Sequence, residues 1–340
     1  MKMAHYEEIK YSRSQIKKAG KKYVAPDTNE AERNEALTLI NNWRAAHSFP
    51  LQVIYMHVQR IAPPNAVVAQ RLKRLYSITQ KLSRFPNMSL TAMQDIGGCR
   101  VIVDSIPQVY AMIDRLKSSR MRHHKKEEYD YIAAPKPDGY RSYHIVFSYF
   151  SDKNPKYNGL FIEIQIRTHI QHIWATAIEM MDTFTGNPLK IGQGDPKNKQ
   201  FFVFASKLLE IYEKNDCSID AVKNSNELAN FITYDAEHQI LNRLRSIKEA
   251  VGYVRSVESL EQGYYLLRLN RRDNQLIINN FRKKDLDQAT AQYDVAEKTR
   301  DKDEDVVLVS TSSYNMLKQA YPNYFSDITE FITLIEKFVQ

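Results

Sequence analysis

The sequence predicts an α+β fold in which a mixed β-sheet is flanked by helices. Three observations predict it. A strand reads from Leu160 to Arg167 (LFIEIQIR), alternating apolar and polar from Ile162 onward, directly after an Asn158-Gly159 turn. A continuous apolar run, Val101-Ile102-Val103, follows the paired glycines Gly97-Gly98 and reads as a buried strand. Helical spacing dominates elsewhere, and alternation returns at 264–270 and 275–281. With 340 residues the chain has room for two domains or one large one. The expected division is a helical region over 1–62, a catalytic core over 63–200, a helical extension over 201–256 and a small C-terminal ββαβα domain over 257–340.

The elements follow in order. Residues 1–25 are basic and read as a solvated helix or tail, ended by Pro26-Asp27-Thr28. Asp27 or Thr28 is suited to cap the next helix, which carries Ala36, Leu39, Ile40 and Trp43 at core spacing. A further helix spans 51–61. Residues 66–85 read as one helix with Arg71, Lys73, Ser77 and Lys81 on a basic face. The Gln94–Arg100 motif leads into the buried strand, and its glycines admit a close approach of a bulky ligand to the backbone. A helix from Ile106 to Leu116 starts with Pro107 in its first turn. Residues 119–128 (SRMRHHKKEE) read as a charged loop, in which adjacent His123 and His124 do not suit one metal. Gln171–Met181 reads as helix, 183–199 as a polar loop, and 201–214 and 225–254 as helices. A hairpin around 271–274, a helix to about 302, a strand at 306–310 and two helices around Tyr321-Pro322 complete the chain.

A net charge of +8 favours anionic partners: nucleotides, RNA or acidic surfaces. Cys99 and Cys217 give neither metal-ligand spacing nor a disulfide framework, so a reducing compartment is expected. No apolar run approaches the roughly 18 residues a membrane span requires. The N-terminus lacks the apolar centre of a signal peptide, and a cytoplasmic protein is the expectation.

Period-2 alternation puts Glu163, Gln165 and Arg167 on one strand face and Ile162, Ile164 and Ile166 on the other. A face bearing acid, amide and guanidinium suits the floor of a site. Asp95 and Glu163, from separate strands, suit one Mg2+, which takes one or two carboxylates together with phosphate oxygens and water. The neighbouring cations Arg71, Lys73, Lys81, Arg100, Lys136 and Arg141 suit a polyphosphate. No GxxxxGK[ST] loop occurs, which excludes a Walker-type ATPase. Tyr140, after Gly139, offers an aromatic platform on an exposed loop for a base.

Four blocks in this order resemble the synthetase domain of the RelA/SpoT family, the alarmone synthetases. They are Arg71-Leu-Lys73-Arg-Leu-Tyr-Ser77-Ile-Thr-Gln-Lys81, Asp95-Ile-Gly97-Gly98-Cys-Arg100, Asp130-Tyr-Ile-Ala-Ala-Pro-Lys136 with Gly139-Tyr140-Arg141-Ser142-Tyr-His144, and Glu163-Ile-Gln165-Ile-Arg167-Thr168. The resemblance covers 71–179 and implies a nucleotidyltransferase-like sheet. It implies Mg2+-dependent transfer of pyrophosphate from ATP to the 3′-hydroxyl of GDP or GTP. Asp95 and Glu163 would hold the metal, and Glu163 would help deprotonate the attacking hydroxyl. Arg71 and Arg100 would sandwich the adenine, with Lys73, Ser77 and Lys81 on the donor side. Lys136, a phosphate contact, would serve the acceptor together with Tyr140, His144, Gln165 and Arg167, with Tyr140 stacked on the guanine.

The chain departs from the family at Tyr129, where many members have a basic residue; Lys125 and Lys126 are expected to contact donor phosphate instead. The Gln171–Ala175 segment is closer to the small synthetases. With no His-Asp dipeptide and few residues before the synthetase region, the family's hydrolase domain is expected to be absent. Two alternatives stand beside this reading. One is a toxic relative that pyrophosphorylates tRNA 3′ ends or adenosine nucleotides. The other is a non-catalytic nucleotide- or RNA-binding regulator. Homo-oligomerisation, and a ligand or partner for residues 257–340, are further expectations.

Overall fold

A computed structural model of the chain describes residues 6–185, 194–250, 263–270, 275–300, 304–311, 313–321 and 328–340. The turn expected at 271–274, the boundary expected near 257 and the middle of the 183–199 loop lie outside them. The order of elements is α1 (Arg13–Val24), α2 (Glu30–Ala46), α3 (Ser48–Ile61), β1 (Val67–Leu72), α4 (Leu75–Arg84), β2 (Gly97–Val103), α5 (Ile106–Ser118), β3 (His124–Asp130), β4 (Tyr143–Ser148) and β5 (Phe161–Thr168). Then come α6 (His169–Thr185), α7 (Pro196–Lys214), α8 (Ile219–Lys223), α9 (Asn226–His238), α10 (Ile240–Ala250), β6 (Gly263–Asn270), β7 (Gln275–Arg282), α11 (Leu286–Thr299), β8 (Glu304–Thr311), α12 (Tyr314–Ala320) and α13 (Thr329–Val339).

The strands form one mixed sheet in the order β3-β4-β5-β2-β1-β8-β6-β7. Among the described residues only β2 and β5 pair in parallel, which sets Gly98 beside Glu163 and Arg100 beside Gln165. One sheet face carries Cys99, Val101, Ile162, Ile164 and Ile166 and packs on α3 and α5. The other bears Val67, Ala69 and Ile102 under Leu317 and Ala320 of α12. Each face is a consequence of the two-residue period of strands. The C-terminal strands do not form a sheet of their own. Through Gln70↔Ser310 and Arg71↔Val309, β8 continues the sheet from β1. Meanwhile α13 leaves those strands, and its Phe331, Ile332, Ile335 and Phe338 pack into the helical cluster of α6, α7, α9 and α10.

Three local expectations change. The helix expected at 66–85 is β1 followed by α4. Its first half is Val67-Val68-Ala69, which suits a pleated surface, and antiparallel pairing with β2 decides the conformation. The charged loop expected at 119–128 contains most of β3. This strand lies at the sheet edge, where charged side chains remain solvated, so the alternation that would betray it is missing. The expected 225–254 helix breaks at Gln239, whose left-handed φ of 55° separates α9 from α10. The cap of α2 is Asn29, which closes a capping box with Glu32. Helix α1 buries Ile16, Ala19 and Gly20, so it is solvated on one side only.

Candidate active site

The site lies on the sheet face opposite α3 and α5. On β5, period 2 aims Glu163, Gln165 and Arg167 toward it, and register brings His144 of β4 beside Gln165. Glu163 is held from two sides: its Oε1 lies 2.9 Å from His144 Nδ1, and Gln165 Nε2 donates to its Oε2 at 2.6 Å. His144 Nε2 lies 2.9 Å from the Tyr140 hydroxyl. Burial opposes a charge on His144, but Tyr140 and Glu163 outweigh it and lift its pKa to about 9. Burial also raises Glu163, yet the His144 cation prevails and holds its carboxyl below the usual range. Glu163 is therefore ionised at neutral pH.

Asp95 sits just ahead of β2, between Lys73 Nζ at 2.8 Å and Lys81 Nζ at 3.1 Å. Burial works against its charge, but the two ammonium groups overcome it and hold its carboxyl well below the usual range. The fields of the two acids overlap: the charge of Asp95 raises the proton affinity of Glu163. Asp95 gives a first prediction. A depressed carboxyl stabilises the fold above its unfolded pKa of about 3.9, and that contribution is lost as pH falls below it. Urea unfolding from pH 7 to pH 2 should show an acid loss that is smaller in Asp95→Asn. Identical pH slopes in the two proteins would refute the assignment.

The cations divide. As part of a strand rather than a helix, Arg71 shares its face with Arg100, because Ala69 pairs with Arg100 and Arg71 with Gly98. Against both guanidiniums lies an aromatic ring that the sequence did not lead one to expect there. Tyr321, at the end of α12, is 1% exposed; its ring centroid is 6.0 Å from Arg71 Cζ and 5.4 Å from Arg100 Cζ. Arg100 Nη1 also donates to Ala320 O at 2.7 Å. Buried His172 accepts from Arg167 Nη2 on Nδ1 and donates from Nε2 to Gln319 O at 2.7 Å. Burial and the Arg167 cation keep that imidazole neutral, which fits this tautomer. The last carbonyls of α12, which lack partners within the helix, are thus capped by the site's own donors.

The other expected residues are placed as follows. Ser77 lies half-buried on α4, one turn before Lys81. Lys136 Nζ sits 4.2 Å from the Tyr131 ring centroid and 5.1 Å from that of Tyr140. Tyr140 is no exposed platform; it is half-buried, edge-on to Tyr131 and His144 and beside Trp174. Lys125 pairs with Glu128, which also binds Lys117 of α5, and this directs Lys125 toward the α5 side, away from Glu163. Lys126 is exposed on β3. Buried Arg141 meets Glu213 of α7 at 2.7 Å. The two glycines of the pair differ in their surroundings. A Cβ on Gly97 would lie 2.5 Å from Ile162 Cδ1, so that glycine serves strand packing, while Gly98 has room to spare. Tyr321 and Glu213 were missed because each acts across a large sequence separation that no local pattern reports.

Two hard-oxygen carboxylates whose fields overlap suit Mg2+, with phosphate and water completing its shell. Among the described residues no group of three His, Cys, Asp or Glu gathers into a protein-only metal cage. No helix among them is long and apolar enough to cross a membrane.

Residues 70–182 match the region found in RelA and SpoT proteins. GTP pyrophosphokinase YjbM of Bacillus subtilis is 32% identical over 127 residues, covering 36% of this chain and 60% of the relative. The GTP pyrophosphokinase of Escherichia coli K12 is 34% identical over 107 residues, covering 32% of this chain and 13% of that protein. The chain therefore spans less than two thirds of either relative. Small alarmone synthetase 1 of Bacillus subtilis, solved bound to its product pppGpp, aligns over 50% of this chain and 91% of its own at 24% identity and a TM-score of 0.43. This chain thus carries, over residues 70–182, the region found in RelA and SpoT proteins.

Proposed function

We propose that the protein transfers pyrophosphate from ATP to the 3′-hydroxyl of GDP or GTP, using Mg2+, and that it has no hydrolase activity. The observation that carries this reading is the ionised Glu163, held by His144 and Gln165 within the field of a second acid that two lysines flank. The names of the curated relatives, GTP pyrophosphokinases, support it. Asp95 and Glu163 would hold Mg2+, which supplies charge neutralisation to the polyphosphate. Glu163 takes the proton of the acceptor hydroxyl. The new bond joins the acceptor oxygen to the β-phosphorus of ATP; the bond from that phosphorus to the bridging oxygen breaks, and AMP leaves with the electron pair. Lys73 and Lys81 hold Asp95 ionised and place positive charge where phosphate oxygens gather. His144 keeps the Glu163 carboxylate oriented and in its basic form.

Tyr321 packs against the guanidiniums of Arg71 and Arg100, which this reading gives to the adenine, so on this reading α12 would have to move aside for the donor to bind.

Incubation with ATP, Mg2+ and each of GMP, GDP and GTP tests the activity, with AMP and a 3′-pyrophosphorylated nucleotide as expected products by mass spectrometry. Absence of both, also in a chain opened at Tyr321, would refute it. The pH profile gives a second prediction. Activity should fall as pH rises through about 9, where His144 loses its proton, and the falling limb should move to lower pH in Tyr140→Phe, which removes one of the groups that raise it. An unmoved limb would exclude His144 as its source.

A second reading, transfer to the 3′ end of tRNA, is favoured by an aromatic pair at the rim. Tyr129 is exposed on the edge strand and lies parallel to Tyr131, with centroids 5.7 Å apart, an arrangement suited to an unstacked base. Labelled ATP with total tRNA separates the two acceptors.

A further inference from the structure

Helix α7 lies beyond the matched region, yet it grips the loop that carries Tyr140. Ser206 Oγ donates to Gly139 O at 2.6 Å. Gly139 has φ +88°, and a Cβ there would meet Ser206 Cβ at 3.0 Å and Trp174 at 3.2 Å. The loop is therefore pressed onto α7 at a point where only glycine fits without strain. Two helical turns later, on the same face of α7, Glu213 reaches the next part of the loop. Its Oε2 lies 2.7 Å from Arg141 Nη1, with side-chain exposures of 4% and 3%. The approach angle makes this an ion pair rather than an aligned hydrogen bond. Glu213 Oε1 accepts from the Thr168 hydroxyl. Thr168 ends β5, and its own hydroxyl and amide bond with Gln171 to start α6.

One buried carboxylate thus ties together the residue after Tyr140 and the end of the strand that carries Glu163. From there the contacts run on through Tyr140 to His144 and from His144 to Glu163. An ion pair needed only for stability has no reason to converge on these two segments. An apolar pair of similar bulk would serve stability as well, since burying two charges costs about as much as their attraction returns.

We propose that Glu213 is a positioning residue for the acceptor: acting through Arg141 and Thr168, and with Ser206, it fixes where Tyr140 stands relative to Glu163. The acceptor part of this statement rests on the pyrophosphate-transfer reading; the positioning of Tyr140 does not.

Removing Glu213 alone strands a buried guanidinium and risks unfolding. The paired variant Arg141→Met/Glu213→Leu removes both charges and keeps the bulk, and Ser206→Ala tests the second contact. In the whole 340-residue chain, calorimetry with GDP and with a non-hydrolysable ATP analogue is expected to show GDP affinity about tenfold weaker in the paired variant and the analogue unchanged. Thermal melting checks that the variant is folded. A further readout needs no ligand. Burial raises the Tyr140 phenol, but the neighbouring His144 and Arg167 cations prevail and bring it down to about 8. Absorbance at 295 nm should show that ionisation step in the parent and lose it in Tyr140→Phe. In the paired variant the step should move up toward the ordinary tyrosine range of about 10. A folded paired variant with unchanged GDP affinity and an unchanged tyrosine step would overturn the proposal, and so would equal losses for GDP and the ATP analogue. If the parent binds no GDP, the acceptor reading fails by itself, and the tyrosine step alone decides the positioning.

Discussion

Replacing Tyr321 by alanine is expected to raise the rate of pyrophosphate transfer and to tighten binding of an ATP analogue, each by roughly 10- to 100-fold. The magnitude follows from what the ring does. It stands against two guanidiniums, and a desolvated cation–π contact contributes about 0.5–2 kcal/mol, with every 1.4 kcal/mol worth about tenfold. Adenine would have to take the place of those contacts before binding. The variant should also melt at a lower temperature, since Tyr321 is part of the apolar cluster under α12 and its truncation costs about 3–5 kcal/mol of packing. Gain of function together with loss of stability separates a plug from a strut: a residue serving only the fold would lower both. Tyr321→Phe keeps the ring and should behave as the parent. A folded Tyr321→Ala chain with unchanged analogue affinity would show that the slot between Arg71 and Arg100 does not receive the donor. Hydrogen exchange at α12, measured with and without the analogue, would report the same displacement by an independent route.

The second large effect is the loss expected on Glu163→Gln. The amide keeps the size of the carboxylate but neither accepts the acceptor proton nor carries charge for a metal. Transfer should fall by about 1,000-fold or more, the combined scale of general-base and electrostatic contributions. GDP binding should change far less, because Tyr140 and Lys136, the proposed acceptor contacts, remain. The substitution also removes the anion that helps keep His144 protonated, so the imidazole should lose its proton at lower pH, which NMR of that ring would follow. Retention of more than a tenth of parental turnover would exclude Glu163 as the base.

Several parts of this site were legible in the primary structure because they depend on short-range rules. The two-residue period placed Glu163, Gln165 and Arg167 on one face, and the structure has that face. The apolar run after Gly97-Gly98 is β2, and the alternating runs near the C-terminus are β6 and β7. Arg71 and Lys81 belonged to one motif by spacing, but the motif is split between a strand and a helix. Propensity alone did not reveal that division, since the pairing of β1 with β2 and β8 lies outside the motif. Nearness to Tyr129 in sequence suggests a phosphate contact for Lys125. The side of the strand on which it lies was fixed by Glu128 and Lys117, and that contact carried it away from Glu163.

By itself, then, the order of residues determined the strands β2, β5, β6 and β7, most of the helices, and the shared face of Glu163, Gln165 and Arg167, because these are properties of a few consecutive peptide units. The tertiary structure alone decided that the C-terminal strands lengthen the central sheet, that Tyr321 packs against two arginines, and that Glu213 joins the Tyr140 loop to the end of β5. Those contacts bridge up to 250 residues of chain. Their physical origin is the joint burial of faces that different elements contribute, and no window of sequence contains it.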